Sequence, residues 1–218
     1  MFERVSLRPQ LEGGLADLDI DLPGAAIESL LDYVGLLQQW NAAYNLTSVR
    51  DARGIISRHL LDSLAIARYV VGETLADLGS GAGLPGIPLA VAAPRRRFTL
   101  VDSNGKKTRF LREVVRKLGL RNVEVAECRV EQVDGRFDCV TARAFASLAD
   151  MLKLGGRLLA DDGTWLAQKG RLPRDELAAV PGAFRVTAIH RVDVPGLDAE
   201  RHLVIIRRNA APGNRQPP

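Results

Sequence analysis

Glycines and acids in the first half of the chain have the types and spacing of a nucleotide-cofactor site. Four glycines follow the apolar run 75–78, at Gly79, Gly81, Gly83 and Gly86. Glycine is needed where a turn takes positive φ or a ligand touches bare backbone, so the pattern predicts a buried strand, a tight turn and a helix start. Asp77 lies within the apolar run and Asp102 ends the next one. A carboxylate at the second position can accept both hydroxyls of a ribose.

Two classes of cofactor fit this glycine loop. The register Gly81, Gly83, Gly86 matches the G-x-G-x-x-G pattern of dinucleotide binding, which is a weak signal by itself. The register that starts at Asp77, two residues before Gly79, resembles the loop of S-adenosylmethionine (SAM)-dependent methyltransferases. An acid beside the loop would repel a pyrophosphate, but it suits the ammonium and sulfonium of SAM. A glycine turn that binds nothing is a third interpretation, which the four glycines and the acid on the next strand disfavour.

Composition limits the class of protein. With 218 residues, 46% of them hydrophobic, the chain fits one α/β domain with a small appendage. The net charge of +4 and the isoelectric point near 9.4 suggest a polyanionic partner. Cys128 and Cys139 lack metal-ligand spacing, so we predict no metal site and interpret both as free thiols of a cytoplasmic protein. The sequence shows neither a membrane-spanning run nor a signal-peptide pattern at its start.

The spacing of apolar residues predicts an α/β architecture. Helical patterns cover Pro23 to Trp40 and about Asp51 to Val71, and Gly72 ends the second. Strand and helix patterns then alternate, which predicts a parallel sheet with helices on both faces and a ligand at the carboxyl ends of the strands. The expected strands are 75–78, 98–102, 123–126, 137–142, 165–168, 185–194 and 202–208. The expected helices are 87–93, 105–118, 144–154 and 174–180.

Six further segments extend the resemblance well beyond the glycine loop. They are 40–48, 58–63, 83–89, 101–111, 143–148 and 168–170. Together these segments resemble the RsmG (GidB) family, the methyltransferases of small-subunit ribosomal RNA. The resemblance implies a Rossmann-like class I fold and transfer of a methyl group from SAM to N7 of one guanine in 16S ribosomal RNA. It also implies cofactor contacts at Gly79, Leu84, Val130, Glu131 and Arg143.

Three regions follow from the patterns and the resemblance. Residues 1–72 are predicted to be a helical extension, in which 1–21 are at best partly ordered because Gly13 and Gly14 interrupt them. Residues 73–208 are predicted to form the methyltransferase domain, with a mostly parallel seven-stranded sheet that ends in an antiparallel hairpin. Residues 209–218 are predicted to be a disordered tail.

The residues themselves give a second basis for the site. Asp77, Gly81 and Asp102 join the cofactor residues from the loop pattern, although Asp102 could instead cap the helix that starts near Gly105. Val130 and Glu131 follow a strand at the edge where an adenine should lie; otherwise Glu131 is a solvated acid. Arg143 follows another strand at the same edge, where it can meet a cofactor carboxylate or an RNA phosphate. The alternative interpretation of Arg143 is an ordinary surface cation.

Basic and aromatic residues are the candidates for RNA contact. Lys106, Lys107 and Lys169 lie near strand ends on the cofactor side, where phosphate contacts would position a substrate, although solvated helix faces are the plainer interpretation. Aromatic residues make up only 5% of the chain. No stacking platform is evident apart from a use of Trp40, Tyr44 or Phe145, and Trp40 suits a core position equally well. The expected partner is 16S ribosomal RNA or the small ribosomal subunit, bound by a monomer.

The residue types present narrow the chemistry. The Asp- or Asn-Pro-Pro motif of amine-directed enzymes is missing after the strand 137–142, and Cys139 lies inside that apolar strand without a basic neighbour. Guanine N7 needs neither a base nor a nucleophile, so no catalytic residue is assigned. Arg143, Asn41 and Asn45 are the candidates for holding the base. Two rivals remain: a dinucleotide-dependent oxidoreductase, for which no proton-donating pair is evident, and a non-enzymatic RNA-binding protein, which leaves the glycine loop unexplained.

Overall fold

A seven-stranded sheet organises the part of the chain that the computed structural model describes, residues 4–143 and 147–209. Its strands are β1 Thr74–Leu78, β2 Arg97–Val101, β3 Val123–Ala126, β4 Phe137–Arg143, β5 Leu159–Lys169, β6 Phe184–Arg191 and β7 His202–Arg208. The spatial order is β3-β2-β1-β4-β5-β7-β6. Neighbours from β3 to β5 are parallel, and β7 is antiparallel to both β5 and β6. The predicted mostly parallel sheet with a terminal antiparallel pair is confirmed.

Helices cover both faces of the sheet. They are α1 Arg4–Asp17, α2 Gly24–Tyr44, α3 Ala52–Ile55, α4 Asp62–Leu64, α5 Gly86–Ala92, α6 Gly105–Leu118, α7 Leu148–Gly155 and α8 Arg174–Leu177. Side chains alternate across the strands, so Leu75 faces the core under α1–α6 while Ala76 and Leu78 face the core under α7. The helix predicted over 144–154 is observed from Leu148; residues 144–146 lie outside the described part.

The expectation of partial order at the N-terminus was wrong. Residues 4–17 form α1, and Leu7, Leu11 and Leu15 are buried because their spacing of four places them on one face. Gly14 allows this close packing, since a Cβ there would overlap the side chain of Leu61. The glycines that suggested a break, together with Pro9, lie inside the helix, so burial outweighed their low helix propensity.

The second predicted helix is not a regular α-helix. Between α3 and α4 the chain winds as a π-helix over Ile56–Leu61, and Gly72 follows with a φ of 69°. π-helical turns are rare and occur frequently at functional sites. Here the turn contains Arg58 and His59 and immediately precedes Asp62, which are residues of the site described below.

The C-terminal end is described only to Asn209. Its side-chain amide donates to the carbonyl of Gly182 at 2.7 Å, and its backbone N–H donates to that of Ala183 at 2.9 Å. The rest of the expected disordered tail, 210–218, lies outside the described residues. Within the described ranges, no helix has the length and apolar character needed to cross a membrane.

Candidate functional site

The glycine loop, residues 79–86, joins β1 to α5 in a conformation that strongly favours glycine at three positions. The left-handed φ values are 70° at Gly79, 59° at Gly81 and 90° at Gly83. The fourth glycine, Gly86, has a different reason: a Cβ there would overlap the side chain of Leu100. The four-glycine pattern therefore follows from backbone conformation at Gly79, Gly81 and Gly83 and from close packing at Gly83 and Gly86.

The backbone N–H groups of the loop are mostly engaged inside the protein. The donor–acceptor pairs are Gly79 and Ser80 to Val101 O, Gly81 to Asp102 Oδ2, Gly83 and Leu84 to Ser80 O, and Gly86 to Asp77 Oδ2, all at 2.8–3.0 Å. A pyrophosphate site needs such N–H groups to point at the ligand. This loop therefore fits a cofactor without a pyrophosphate better than a dinucleotide.

Asp77 lies beneath the loop and does not face the cavity. Its side chain is fully buried, and Oδ2 accepts the backbone N–H of Gly86 at 3.0 Å. Oδ1 is buried without a hydrogen-bond partner among the described residues. Burial raises the pKa of this carboxyl to about 7, although the Gly86 N–H works in the opposite direction. The charge that the sequence argument assigned to a cofactor contact therefore acts from behind the loop.

A cavity of about 410 Å³ opens at the carboxyl ends of β1, β2 and β4. This volume lies within the usual range of small-molecule sites. Its lining includes five of the predicted cofactor residues, Gly79, Asp102, Val130, Glu131 and Arg143. The other three, Asp77, Gly81 and Leu84, are not in the lining and form or support the loop behind it.

Asp102 is held in place by backbone on both sides. Its Oδ2 accepts the N–H of Gly81 at 2.9 Å and its Oδ1 accepts that of Asn104 at 2.8 Å. The Nζ of Lys107 lies 3.7 Å from Oδ2. The helix-capping alternative for Asp102 was wrong, since the side chain of Asn104 accepts the first N–H groups of α6. Asp102 lines the cavity, and each of its carboxylate oxygens has capacity to accept a further hydrogen bond.

Arg143 enters the cavity from the end of β4, positioned by an acid that sequence reasoning did not assign to the site. Its Nη1 lies 3.0 Å from Oδ2 of Asp62, and the Nε of Arg201 lies 2.9 Å from Oδ1 of the same carboxylate. The Asp62 side chain is only 4% exposed, so its charge is compensated by two cations that come from distant parts of the sequence. A nearby signal did exist, because Asp62 lies in the segment 58–63.

Asn41 and His59 connect the N-terminal helices to this arginine. The Asn41 side chain accepts the N–H of Thr47 at 2.9 Å and donates to the carbonyl of Val49 at 3.2 Å, so it shapes the loop after α2. Thr47 Oγ1 lies 2.7 Å from Nε2 of His59. Burial and the nearby Arg143 guanidinium lower the pKa of His59 to about 4. The imidazole is therefore neutral at physiological pH, with Nδ1 beside the Arg58 carbonyl at 2.8 Å.

Asn45 ends α2 in the left-handed region, with a φ of 49°. Its Oδ1 accepts a hydrogen bond from Arg50 Nη2 at 3.1 Å, and its side chain is exposed. Asn41, by contrast, is buried and both ends of its amide are engaged within the protein. Of the two asparagines predicted to hold a substrate, only Asn45 is therefore placed at the surface.

The loop that carries Val130 and Glu131 is fixed by another arginine that sequence reasoning missed. Arg157 Nη2 donates to the carbonyls of Val130, Glu131 and Val133 at 3.1, 2.8 and 2.6 Å. Three carbonyls converging on one guanidinium nitrogen hold the backbone of this loop at the wall of the cavity. Arg157 is more than twenty residues from this loop in sequence, so no local sequence pattern could predict the contact.

The three predicted RNA-binding lysines differ in environment. Lys106 is exposed at the start of α6 and has no ion pair within the described residues. Lys107 lines the cavity beside Asp102. Lys169 is only 13% exposed and pairs with Glu176 at 2.8 Å. The first two are placed to meet a polyanion at the cavity mouth, whereas much of the Lys169 charge is already compensated.

The two thiols also differ. Cys139 lies in β4, fully buried, and burial raises the pKa of its thiol to about 12. Cys128 is partly exposed and lines the cavity, a position the sequence did not indicate. The interpretation of Cys139 as an inert core thiol agrees with this environment.

Solved structures with the same arrangement are methyltransferases. A ribosomal protein L11 methylase from Lactobacillus delbrueckii matches 69% of this chain and 77% of its own, with a TM-score of 0.53 at 22% identity. TrmN from Thermus thermophilus matches 71% of this chain and 53% of its own, with a TM-score of 0.56 at 16% identity. TYW2 from M. jannaschii, solved in complex with AdoMet, matches 69% of this chain and 76% of its own, with a TM-score of 0.53 at 15% identity. The fold is that of the class I SAM-dependent methyltransferases.

Sequence comparisons are more specific. The family described as "GidB: rRNA small subunit methyltransferase G" matches residues 26–204. "Ribosomal RNA small subunit methyltransferase G" of Xylella fastidiosa is 53% identical over 209 residues, which cover 93% of this chain and 98% of that protein. The protein of the same name from Xanthomonas campestris is 52% identical over 201 residues, 91% of this chain and 94% of that one. The chain therefore belongs to the rRNA small subunit methyltransferase G family and is an enzyme that uses S-adenosylmethionine, as its sequence predicted.

Proposed function

We propose that this enzyme methylates N7 of a guanine in 16S ribosomal RNA, acting in the cytoplasm as a monomer on free RNA or on the small subunit. The observation that carries the proposal is the cavity edge itself. It presents a fixed cation, Arg143, and a hydroxyl-binding acid, Asp102, but the nearby imidazole of His59 is held neutral and internally hydrogen-bonded. Such an edge suits a target atom that needs orientation and no proton removal.

Guanine N7 is such an atom. It carries an in-plane lone pair and no proton, so the protein has no proton to move at the reacting centre. SAM, when bound, supplies an electrophilic methyl group. Methylation of a ring carbon would require a nucleophilic cysteine. Cys139 is a poor nucleophile, because burial raises the pKa of its thiol. The remaining contribution of the protein is to align the base and exclude water, which can supply a large part of a rate enhancement.

The cofactor residues divide into two groups in this proposal. Gly79, Asp102, Val130, Glu131 and Arg143 hold the cofactor from the cavity wall, with Asp102 accepting ribose hydroxyls and Arg143 also serving the substrate. Asp77, Gly81 and Leu84 act indirectly, by fixing the loop through hydrogen bonds such as that from Gly86 to Asp77. The buried Oδ1 of Asp77, which has no hydrogen-bond partner among the described residues, places negative potential behind the loop when Asp77 is ionised, and this favours a cationic cofactor over a pyrophosphate.

Substrate positioning falls to Arg143 in this proposal, with Asn45 at the rim. The ion pair with Asp62 fixes the guanidinium, so that little side-chain entropy is lost when it meets a substrate. Asn41 acts indirectly by shaping the loop after α2. The region 1–72 then serves as an extension that supplies these contacts to the domain 73–208.

Cys128 offers a test of the cofactor site that does not depend on activity. Cys139 is buried, so a thiol reagent should modify Cys128 first, and saturating SAM should slow that reaction because the thiol lines the cavity. NAD at the same concentration should leave the rate unchanged. Protection by NAD and none by SAM would support the oxidoreductase rival instead.

The target atom is tested by single-turnover methyl transfer to 16S ribosomal RNA. We expect the product to be 7-methylguanine and the rate of an Asp77→Asn variant to be nearly flat between about pH 6 and 9, since no proton is removed from N7. A Cys139→Ala variant should keep most of the activity. A methyl group on carbon or on an exocyclic amine, or a pH limb that survives Asp77→Asn, would contradict the proposed chemistry. RNA that binds without becoming methylated would favour the non-enzymatic rival.

A further inference from the structure

A ladder of four aromatic rings runs from the surface to the glycine loop. Tyr44 stacks on Trp40 with ring centroids 5.3 Å apart and planes at 28°. Trp40 packs against Phe110 at 5.6 Å, and Phe110 lies 6.4 Å from Tyr33. The Tyr33 hydroxyl donates to the carbonyl of Ala82 within the glycine loop at 2.7 Å. The ladder thus joins α2 and α6 to the cofactor loop.

The outer end of the ladder is open to solvent. Phe110 and Tyr33 are fully buried, Trp40 is partly exposed, and Tyr44 is 37% exposed. The two inner rings fill the core, so they need no further function. Trp40 packs against the core with part of its surface exposed, whereas Tyr44 is exposed, and the buried rings behind them fix their orientation. A rigid aromatic surface with one face open is the feature on which unpaired nucleobases stack.

The open rings lie on the cofactor side of the sheet. Phe110 is five residues into α6, about 7.5 Å along the helix axis from Gly105, and α6 begins just after Asp102. From the other side, Asn41, one residue after Trp40, holds the loop whose Thr47 bonds His59. Both connections lead to the edge where the cavity opens.

Cations flank the same surface. Arg50 donates to the side chain of Asn45, which directly follows Tyr44, and Lys106 lies one turn before Phe110. Within the described ranges, neither Arg50 nor Lys106 is in an ion pair. A nucleotide stacked on the rings would find its phosphates near these charges, and phosphate contacts of this kind position a strand without reading its sequence.

We propose that Tyr44 and Trp40 form a stacking site for an unpaired nucleobase of the RNA substrate, with Arg50 beside its phosphate. The proposal rests on the proposed function and adds a contact to the same site. Every base presents a π face, so this site binds and orients the strand and leaves the choice of target to other contacts. The rigid connection to Ala82 holds the stacked strand in register with the cofactor loop.

Substitution of Tyr44 tests the site directly. Tyr44→Ala should weaken binding of a short single-stranded, guanine-containing RNA by about 5- to 150-fold, while Tyr44→Phe stays near the parent. SAM affinity and the slope of log Kd against log salt should be unchanged, because no charge is removed. Tyr69→Ala is the matched control, since Tyr69 also stacks on a ring, that of His190, but lies in the turn that leads to the opposite end of β1. Equal RNA affinity of Tyr44→Ala and the parent would overturn the proposal.

Fluorescence gives an independent readout. The chain has two tryptophans, and Trp165 is fully buried, so Trp40, which lies directly beside Tyr44, is the tryptophan whose emission RNA bound at this site can quench. We expect quenching in the parent and only the inner-filter loss in Trp40→Phe. RNA binding without quenching of Trp40 would refute the stacking site. A parent enzyme that shows quenching but transfers no methyl group to 16S ribosomal RNA would instead refute the proposed function, so the two failures are distinguishable.

Discussion

Two buried aspartates behind the residues that line the cavity have opposite surroundings. Asp77 is fully buried beneath the glycine loop, with one backbone N–H as its partner and one oxygen without any among the described residues. Asp62 is almost as deeply buried, but it lies between Arg143 and Arg201 at 3.0 and 2.9 Å. The burial cost of the first carboxylate is offset only in part, by the Gly86 N–H and the more distant Arg143 guanidinium, whereas the second holds two cations in direct ion pairs.

This difference separates two functions for the same residue type. An acid whose negative charge lacks a compensating partner creates a potential that a cationic cofactor can neutralise, at the expense of stability. An acid that joins two arginines fixes geometry, and its removal leaves charges without a partner. We therefore expect substitutions at Asp77 to act on stability and cofactor binding in opposite directions, and substitutions at Asp62 to impair stability and Arg143 together.

Asp77→Asn should give the largest effect, a change in how stability depends on pH. The folded-state pKa of Asp77 is raised from 3.8 to about 7, so the folded chain keeps a proton that the unfolded chain has lost, and stability falls as pH rises through this window. Above pH 7 the raised pKa lowers the free energy of unfolding of the parent by about 4 kcal/mol relative to its value at pH 4, and the Asp77→Asn variant should lack this decrease. Denaturant unfolding of variant and parent at pH 4, 6 and 8 measures it. The opposing contribution of His59 below pH 6.5 cancels in that difference.

Asp62→Ala should destabilise the protein by about 3 kcal/mol, because two partly buried guanidinium groups lose their shared partner. It should also raise the KM for RNA, since Arg143 is no longer fixed. Asp161→Ala is the control, because Asp161 pairs with Arg136 at an exposed site, where an ion pair contributes less than about 1 kcal/mol. Similar unfolding free energies for the two variants would remove the distinction between Asp62 and a surface acid.

Asp102→Ala extends the comparison to an acid that faces the cavity. We expect SAM affinity to fall by about 1–3 kcal/mol, the cost of ligand hydroxyls left without an acceptor. Calorimetric titration with SAM measures it. An unchanged Kd would show that the carboxylate only braces Gly81 and Asn104, as its hydrogen bonds already do.

The smallest effect concerns the cations at the cavity mouth. Lys106→Ala combined with Lys107→Ala should flatten the dependence of RNA affinity on salt, because fewer counterions are released on binding. SAM affinity should change little. Lys169→Ala, which removes a lysine paired with Glu176, should have a weaker influence on that slope. Identical slopes for the double variant and the parent would show that neither lysine contacts RNA phosphates and that both are ordinary solvated surface residues.

Local chemistry explains what the sequence determined by itself. The glycine loop could be predicted because positive φ at Gly79, Gly81 and Gly83 leaves little choice of residue. The sheet could be predicted because buried parallel strands are short apolar runs that alternate with helical periods. Asp102 could be placed at the site because the end of a strand fixes its side chain at the edge of the sheet. Each of these sequence patterns lies within a few residues of the structural feature that it predicts.

Only the tertiary structure decided how charges are paired. Arg201 and Asp62 are 139 positions apart in sequence, and Arg157 reaches the Val130 loop from another element, so no periodicity relates them. The depth of Asp77, which sets its pKa, depends on the packing of Leu100 and Gly86 over it. Likewise, α1 forms because its leucines find a core supplied by other helices, against the local preference of Pro9 and two glycines. Burial and long-range electrostatics are properties of the assembled chain, which is why these features could not be predicted from residue order alone.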